Sequence, residues 1–216
     1  MIRIKSNNKI KTPDFSYEES FYKNGLIVAG VDEVGRGCLA GPVVAAAVIF
    51  QKSKNNYGIN DSKILTEKKR NELFELIKDH SISISVGFSD NQFIDKYNIL
   101  NSTFHAMHIA INNLSHKPDH VLIDGNRYKS DGISFTTIIN GDAKSISIAA
   151  ASIIAKVARD KWMCEIADNE YPEYGFAKHK GYGTKYHFEM IDKFGVCEIH
   201  RRSFLKKFLS GNDKLF

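Results

Sequence analysis

Val28-Ala29-Gly30-Val31-Asp32-Glu33-Val34-Gly35-Arg36-Gly37 is an apolar run that closes on two adjacent carboxylates and then turns through a glycine-flanked arginine. The apolar part begins at Leu26 and has the length, bounding glycines and β-branched content of a buried strand. Acids at a strand end place metal-ligand oxygens beside a phosphate-binding cation, a pairing suited to phosphodiester chemistry. The motif alone has an equally ordinary reading, because Asp, Glu and Gly are common turn formers after strands. Alternation also sends Asp32 and Glu33 to opposite faces, so both reach one site only where the strand ends or twists. In this reading Gly35 and Gly37 supply the necessary freedom.

Val121-Leu122-Ile123-Asp124-Gly125-Asn126-Arg127 repeats the pattern of apolar strand, acid, glycine and polar residues. Asp142, in Asn140-Gly141-Asp142-Ala143-Lys144, precedes a long helical stretch and reads either as its cap or as a fourth carboxylate. Together Asp32, Glu33, Asp124 and Asp142 form a candidate site for two divalent ions. Mg²⁺ favours carboxylate oxygens and needs few protein ligands when phosphate completes its shell. Two ions about 4 Å apart activate a water and stabilise the leaving oxygen. Without metal, acids packed so closely repel and are strained or partly protonated. Other chemistries lack their signatures. There is no GxxxxGK[ST] loop, and His105 and His108 stand at i,i+3 without further zinc ligands. Ser152 has no nucleophile-elbow context and Cys38 no evident base.

The 216 residues, 43% hydrophobic and 25% charged, predict one α/β domain over 15–216 after a flexible arm at 1–14. Strands are expected near 27–33, 43–50, 81–86, 120–124 and 133–139. Helices are expected near 15–22, over 62–79 with Thr66 as N-cap, over 90–114 in two pieces, and over 145–168, 184–194 and 201–209. That order implies a mixed central sheet covered by helices, with ligands beyond the strand ends. The small face of the long helix, Ala149, Ala150, Ala151, Ser152 and Ala155, lets it pack close to the sheet. If the strands ending in Asp32-Glu33 and Asp124 are parallel neighbours, their acids converge. No apolar run is long enough to span a membrane, and the basic start lacks a signal core. Three cysteines without CxxC spacing fit reduced thiols, so a cytoplasmic protein is expected. The net charge of +5 is concentrated in 176–209, which carries eight Lys/Arg, three acids and seven aromatics. Such a segment fits a nucleic-acid surface, here the helical substrate-binding part at about 170–210, although most of its phenylalanines read as core. Tyr182, in Lys180-Gly181-Tyr182-Gly183-Thr184, is placed for a loop to present it.

The ordered blocks of the chain resemble bacterial ribonuclease HII from about residue 26 to 205. They are Asp32 to Gly37, Ala40-Gly41-Pro42-Val43-Val44, Asn60-Asp61-Ser62-Lys63, Ile123 to Asn126, Gly141-Asp142 and Ala149 to Asp160. They continue with Tyr174-Gly175-Phe176, His179 to Thr184 and His200 to Phe204. The resemblance implies a ribonuclease-H-like fold with a five-stranded mixed sheet and a helical C-terminal part. It implies Mn²⁺- or Mg²⁺-dependent cleavage of RNA within RNA–DNA hybrids and 5′ of ribonucleotides embedded in duplex DNA, leaving 5′-phosphate and 3′-hydroxyl ends. It further implies that Asp32, Glu33, Asp124 and Asp142 hold two metals and that Gly35-Arg36-Gly37 reads the 2′-hydroxyl through its backbone. Tyr182 would stack on the following deoxyribose, and Lys63 would approach a phosphate. Ile64 stands where the family often has a second lysine, which removes one phosphate-facing charge. The sister ribonuclease HIII proteins usually carry an extra N-terminal domain, for which the early first strand leaves no room, and lack the Gly-Arg-Gly form. A non-catalytic hybrid-binding relative would have lost acids, and a small-molecule phosphatase would not need the basic C-terminal segment. With modest size and no heptad pattern, a monomer is expected.

Overall fold

The computed structural model describes residues 12–50, 53, 55 and 57–210. Its centre is a five-stranded sheet of β1 (Val28–Val34), β2 (Val43–Phe50), β3 (Ser81–Ser89), β4 (His120–Asp124) and β5 (Ser134–Ile138). The strand order is β3-β2-β1-β4-β5. β1, β2 and β3 are antiparallel neighbours, whereas β4 runs parallel to β1 and β5 parallel to β4. The sheet is mixed, as the element order implied, and β1 at its centre carries the first pair of acids.

The helices are α1 (Glu19–Lys23), α2 (Glu67–His80), α3 (Asn91–Asn112), α4 (Ile146–Trp162), α5 (Asp168–Glu170), α6 (Phe176–His179), α7 (Lys185–Phe194) and α8 (Arg202–Leu209). α3 covers one face, setting Ala106, Met107 and Ala110 against Ala29, Val31, Ala45 and Ala47. α4 and α2 cover the other, against Ala46, Val48 and Phe50. Coverage on both sides is why β2, Val-Val-Ala-Ala-Ala-Val-Ile-Phe, is buried along its whole length instead of alternating. The small face of α4 does what its composition predicts. A Cβ on Gly30 would lie 2.1 Å from the Ser147 carbonyl carbon, so only glycine admits the helix this close to β1.

Local signals explain most boundaries. Thr66 caps α2 by accepting from Lys69 N, and Ser145 caps α4 by accepting from Ile148 N. α3 is broken at Asn98 (φ 68°), whose side chain accepts from Leu100 N and Asn101 N and so restarts the helix. The helix expected over 145–168 keeps its regular turn only to Trp162, then widens into a π-helical turn over Met163–Ala167. α6 and the 3₁₀ turns at Gly141–Ala143 and Pro172–Tyr174 are too short to leave a periodic trace in sequence. Leu39, Ala40, Met163, Tyr174, Phe176, Ile191 and Leu205 form a separate core that ties the C-terminal helices to the loop after β1. Phe188, Phe204 and Phe208 pack against it, the core role expected of them. Of the expected arm, residues 1–11 lie outside the described residues. Asp14 is held at the start of α4, its N–H donating to Lys144 O and its carbonyl accepting from Ile146 N. Among the described residues no helix is long and apolar enough to cross a membrane.

Candidate active site

β1 and β4 are parallel neighbours, so the acids that close them arrive at the same end of the sheet. Asp32 follows Gly30 onto the α4 face. It is buried, accepts from Glu33 N at 2.7 Å, and accepts from the Ser152 hydroxyl, which also meets Ser62 Oγ at 2.9 Å. Glu33 points to the α3 side and lines a cleft of about 320 Å³ with Arg36, Thr103, Phe104, Asp124 and Arg127. Strand alternation therefore holds, and both acids still approach Asp124 because it ends the adjoining strand. Asp124 Oδ1 accepts from Gly141 N at 2.6 Å, which fastens the tip of β4 to the 3₁₀ turn that carries Asp142. Asp142 is buried and accepts from Lys63 Nζ at 2.9 Å. It is not the cap of α4, since Ser145 fills that place.

Burial first, and then the charges of Glu33 and Asp124, hold the Asp32 carboxyl well above the usual carboxylate range. Glu33 is raised by burial despite Arg36, and Asp124 by burial despite the Gly141 hydrogen bond. Burial works against the charge on Lys63, but its hydrogen bond to Asp142 and the surrounding acids outweigh it and raise its pKa. Among the described residues no three His, Cys, Asp or Glu side chains are gathered closely enough to enclose an ion. The donor chemistry nonetheless fits hard divalent cations completed by water and phosphate: clustered carboxylate oxygens with raised proton affinity, and a lysine ammonium on Asp142 where positive charge is wanted.

This cluster makes the metal-free protein pH-sensitive in a definite direction. The folded pKa of Asp32 lies above its ordinary value of 3.8, so stability is present below that value and lost as pH rises through the folded pKa. Asp32→Asn keeps an acceptor for Ser152 and removes the charge. It should melt roughly 2–6 °C above wild type at pH 8 in chelator, with the gap closing towards pH 4. Scanning calorimetry across that range tests this, and a variant melting below wild type at pH 8 would contradict it.

The remaining predicted residues line the same end of the molecule. Gly35 has φ +90°, and a Cβ there would meet Arg159 Nε at 2.2 Å. Gly37 lies outside the left-handed region and faces open space, so the turn needs special backbone freedom at Gly35 and not at Gly37. Arg36 is half-exposed, with Nη1 3.2 Å from Glu33 Oε1. Tyr182 is 39% exposed. Its hydroxyl meets the Cys38 thiol, and its ring lies 5.7 Å from Lys156 Nζ and 5.9 Å from Arg159 Cζ. His105 and His108 stay apart from the site. His105 stacks on Phe93, and His108 contacts Lys129 O.

Three residues that hold the site escape sequence reasoning. Arg159 is fully buried and donates to Pro42 O (2.9 Å), Ala40 O (3.1 Å) and Lys180 O (2.9 Å), joining the loop after β1 to the Tyr182 loop. Arg201, also fully buried, donates to Gly41 O and Arg36 O, both at 2.9 Å. Burial brings its pKa down to about 10. Glu18 is buried with Oε1 accepting from Ser145 Oγ and Ser147 N, next to the Asp142 turn. The one signal for Arg159 is a cation in a helix that is otherwise small and apolar on its packed face.

The family model described as Ribonuclease HII matches residues 29–207. A ribonuclease HII of Clostridioides difficile (strain 630) is 50% identical over 205 residues, 95% of this chain and 80% of that protein. The crystal structure of the ribonuclease H2 from Pyrococcus horikoshii OT3 superimposes with a TM-score of 0.70 at 27% identity, covering 87% of this chain and 99% of that one. The Bst ribonuclease HIII in complex with Mn²⁺ shares the fold at a TM-score of 0.62 and 19% identity, over 88% of this chain and 71% of that one. Because the family match runs through both acid-bearing strands and on into α8, the chain belongs to the ribonuclease HII family and is a ribonuclease H of type 2.

Proposed function

We propose that this chain hydrolyses the RNA strand of RNA–DNA hybrids and cuts 5′ of ribonucleotides embedded in duplex DNA, leaving 5′-phosphate and 3′-hydroxyl ends. One observation carries the reading. Asp32, Glu33 and Asp124 approach one another at the sheet end, with Asp142 tied to Asp124 through the Gly141 turn, beside the Gly35–Gly37 loop. These four carboxylates would hold two divalent ions, Mn²⁺ or Mg²⁺. When bound, such ions supply an activated water and charge stabilisation for the leaving oxygen.

The protein's own groups define which bond is cut. The backbone of Gly35-Arg36-Gly37 stands beside Glu33, where it can read a 2′-hydroxyl, the group that distinguishes RNA from DNA. The carbonyls of Arg36 and Ala40 are held by buried guanidiniums, so this loop meets the substrate in a fixed shape. Tyr182 offers a half-exposed ring to the next sugar, where a 2′-hydroxyl would clash. Lys63, 74% exposed along its side chain, can exchange Asp142 for an incoming phosphate. Lys178, Lys185, Arg202, Lys206 and Lys207 are exposed on the C-terminal helical part and would follow the duplex backbone, so binding should weaken steeply with salt.

The test uses a DNA duplex containing one ribonucleotide and an all-RNA hybrid, each with Mn²⁺, Mg²⁺ or chelator. Metal-dependent cleavage 5′ of the single ribonucleotide is expected, and binding without cleavage in either metal would refute the proposal. Tyr182→Ala should lower the ratio of single-ribonucleotide to all-RNA cleavage about tenfold, the scale of one lost ring contact. An unchanged ratio would remove Tyr182 from substrate reading.

A further inference from the structure

Beneath the Tyr182 loop lie three buried histidines with no part in the chemistry above: His179, His187 and His200, exposed by 8%, 0% and 1%. Their partners fix where every proton sits, because a carbonyl only accepts and a backbone N–H only donates. Tyr182 O lies 2.9 Å from His187 Nδ1, so Nδ1 carries the proton and Nε2 is left as an acceptor. His200 Nε2, 3.0 Å from that atom, must donate to it. His200 Nδ1 must then accept, and Cys197 N donates to it at 2.9 Å. The two ends of the relay agree, although each is fixed by a different backbone group. Alongside it, His179 Nδ1 accepts from Gly181 N at 3.2 Å, and its Nε2 donates to Tyr174 O at 2.9 Å. The His179 and His187 rings stack 4.3 Å apart. All six ring nitrogens are engaged, and burial holds the three rings neutral, His187 down to about 3 and His200 to about 4.

The relay ends on backbone atoms of the residues that present the ring. Gly181 N and Tyr182 O are gripped from below, in a stretch where Lys180 (φ 52°) and Gly181 (φ 79°) both occupy the left-handed region. Thr184 N also donates to Tyr182 O, and Arg159 holds Lys180 O. The histidines thus link the loop to the turn before α8, outside the reach of either of those bonds.

We infer that His187, backed by His200, is a positioning residue that sets the angle at which the Tyr182 ring meets the sugar, and so tunes junction preference without touching substrate or metal. This rests on the substrate-reading role of Tyr182 proposed above.

Two isosteric replacements separate the relay from simple packing. An Asn side chain ends at the δ position and can donate to Tyr182 O, whereas a Gln ends at ε and can meet only His200. Single-turnover rates on the single-ribonucleotide duplex and the all-RNA hybrid give the junction ratio, with melting temperatures measured alongside. His187→Gln should lower the ratio about fivefold, the scale of one neutral hydrogen bond, with His187→Asn staying within about twofold of wild type. In a Tyr182→Ala background, His187→Gln should lower the ratio no further. A wild-type ratio in His187→Gln, an equal loss in His187→Asn, or a loss that multiplies onto Tyr182→Ala would each overturn the inference. If His187→Gln does not fold, His187→Leu takes its place with the same expected loss, since it fills the space and likewise removes the donor to Tyr182 O. Tyr182→Ala alone with an unchanged ratio would instead overturn the junction reading, and this inference with it.

Discussion

Asp124→Asn is expected to cleave at no more than about a thousandth of the wild-type rate with Mn²⁺ or Mg²⁺, while still folding and binding hybrid. The substitution is close to isosteric. An amide oxygen can still accept from Gly141 N, now 2.6 Å from Oδ1, so the turn that carries Asp142 should stay in place. What disappears is one negative charge at the point where β1 and β4 bring their acids together. Charge stabilisation by a bound ion is worth several kcal/mol, and a loss of about 4 kcal/mol is about a thousandfold in rate. Removing an acid from a surface that faces phosphates should leave binding equal or slightly tighter. Single-turnover cleavage of the single-ribonucleotide duplex, with hybrid binding followed in chelator, provides both readouts. A rate within tenfold of wild type would take Asp124 out of the metal-holding set.

Asp32, Glu33 and Asp124 were legible because they close apolar runs and are followed within a few residues by glycine, so strand and site are marked together. Their meeting was not, since it depends on β4 returning parallel beside β1. Asp142 was ambiguous for a local reason: where a helix starts is uncertain by a few residues in sequence, so a nearby acid can be taken for its cap, and only the Ser145 side chain on Ile148 N decides the matter. The C-terminal segment misleads more. Its charge pattern presents Arg201 and Arg202 as equivalent cations, yet Arg202 is exposed and Arg201 is fully buried on carbonyls of the loop after β1. The partners of Arg159 and Glu18 are likewise far along the chain, and long-range pairing to backbone carbonyls and amides leaves no periodic or motif signature. Glycines divide in the same way. Gly35 and Gly37 look alike in sequence, but only Gly35 has a left-handed φ and a buried guanidinium where its side chain would be.

Gly30→Ala should destabilise the protein by about 3 kcal/mol or more, lowering the melting temperature by roughly 6–12 °C. The new methyl would lie 2.1 Å from Ser147 C, 2.3 Å from Ile148 N and 2.5 Å from Ser147 O. All three are backbone atoms in the first turn of α4, so no side chain can swing aside. The helix cannot simply retreat either. Glu18 holds Ser145 Oγ and Ser147 N, and Asp14 holds Ile146 N. β1 is paired on both edges and equally fixed. Relief therefore requires displacing the start of α4, which carries Ser152 against Asp32 and adjoins the Asp142 turn, so cleavage should fall along with stability. Gly37→Ala is the control for stability: nothing lies within 4 Å of the added atom, and its melting temperature should stay within about 2 °C of wild type. Thermal unfolding of the two variants in chelator is the measurement. Equal melting temperatures would mean that α4 is not seated on β1 through Gly30, and that the close approach of helix and strand does not hold Asp32 in place.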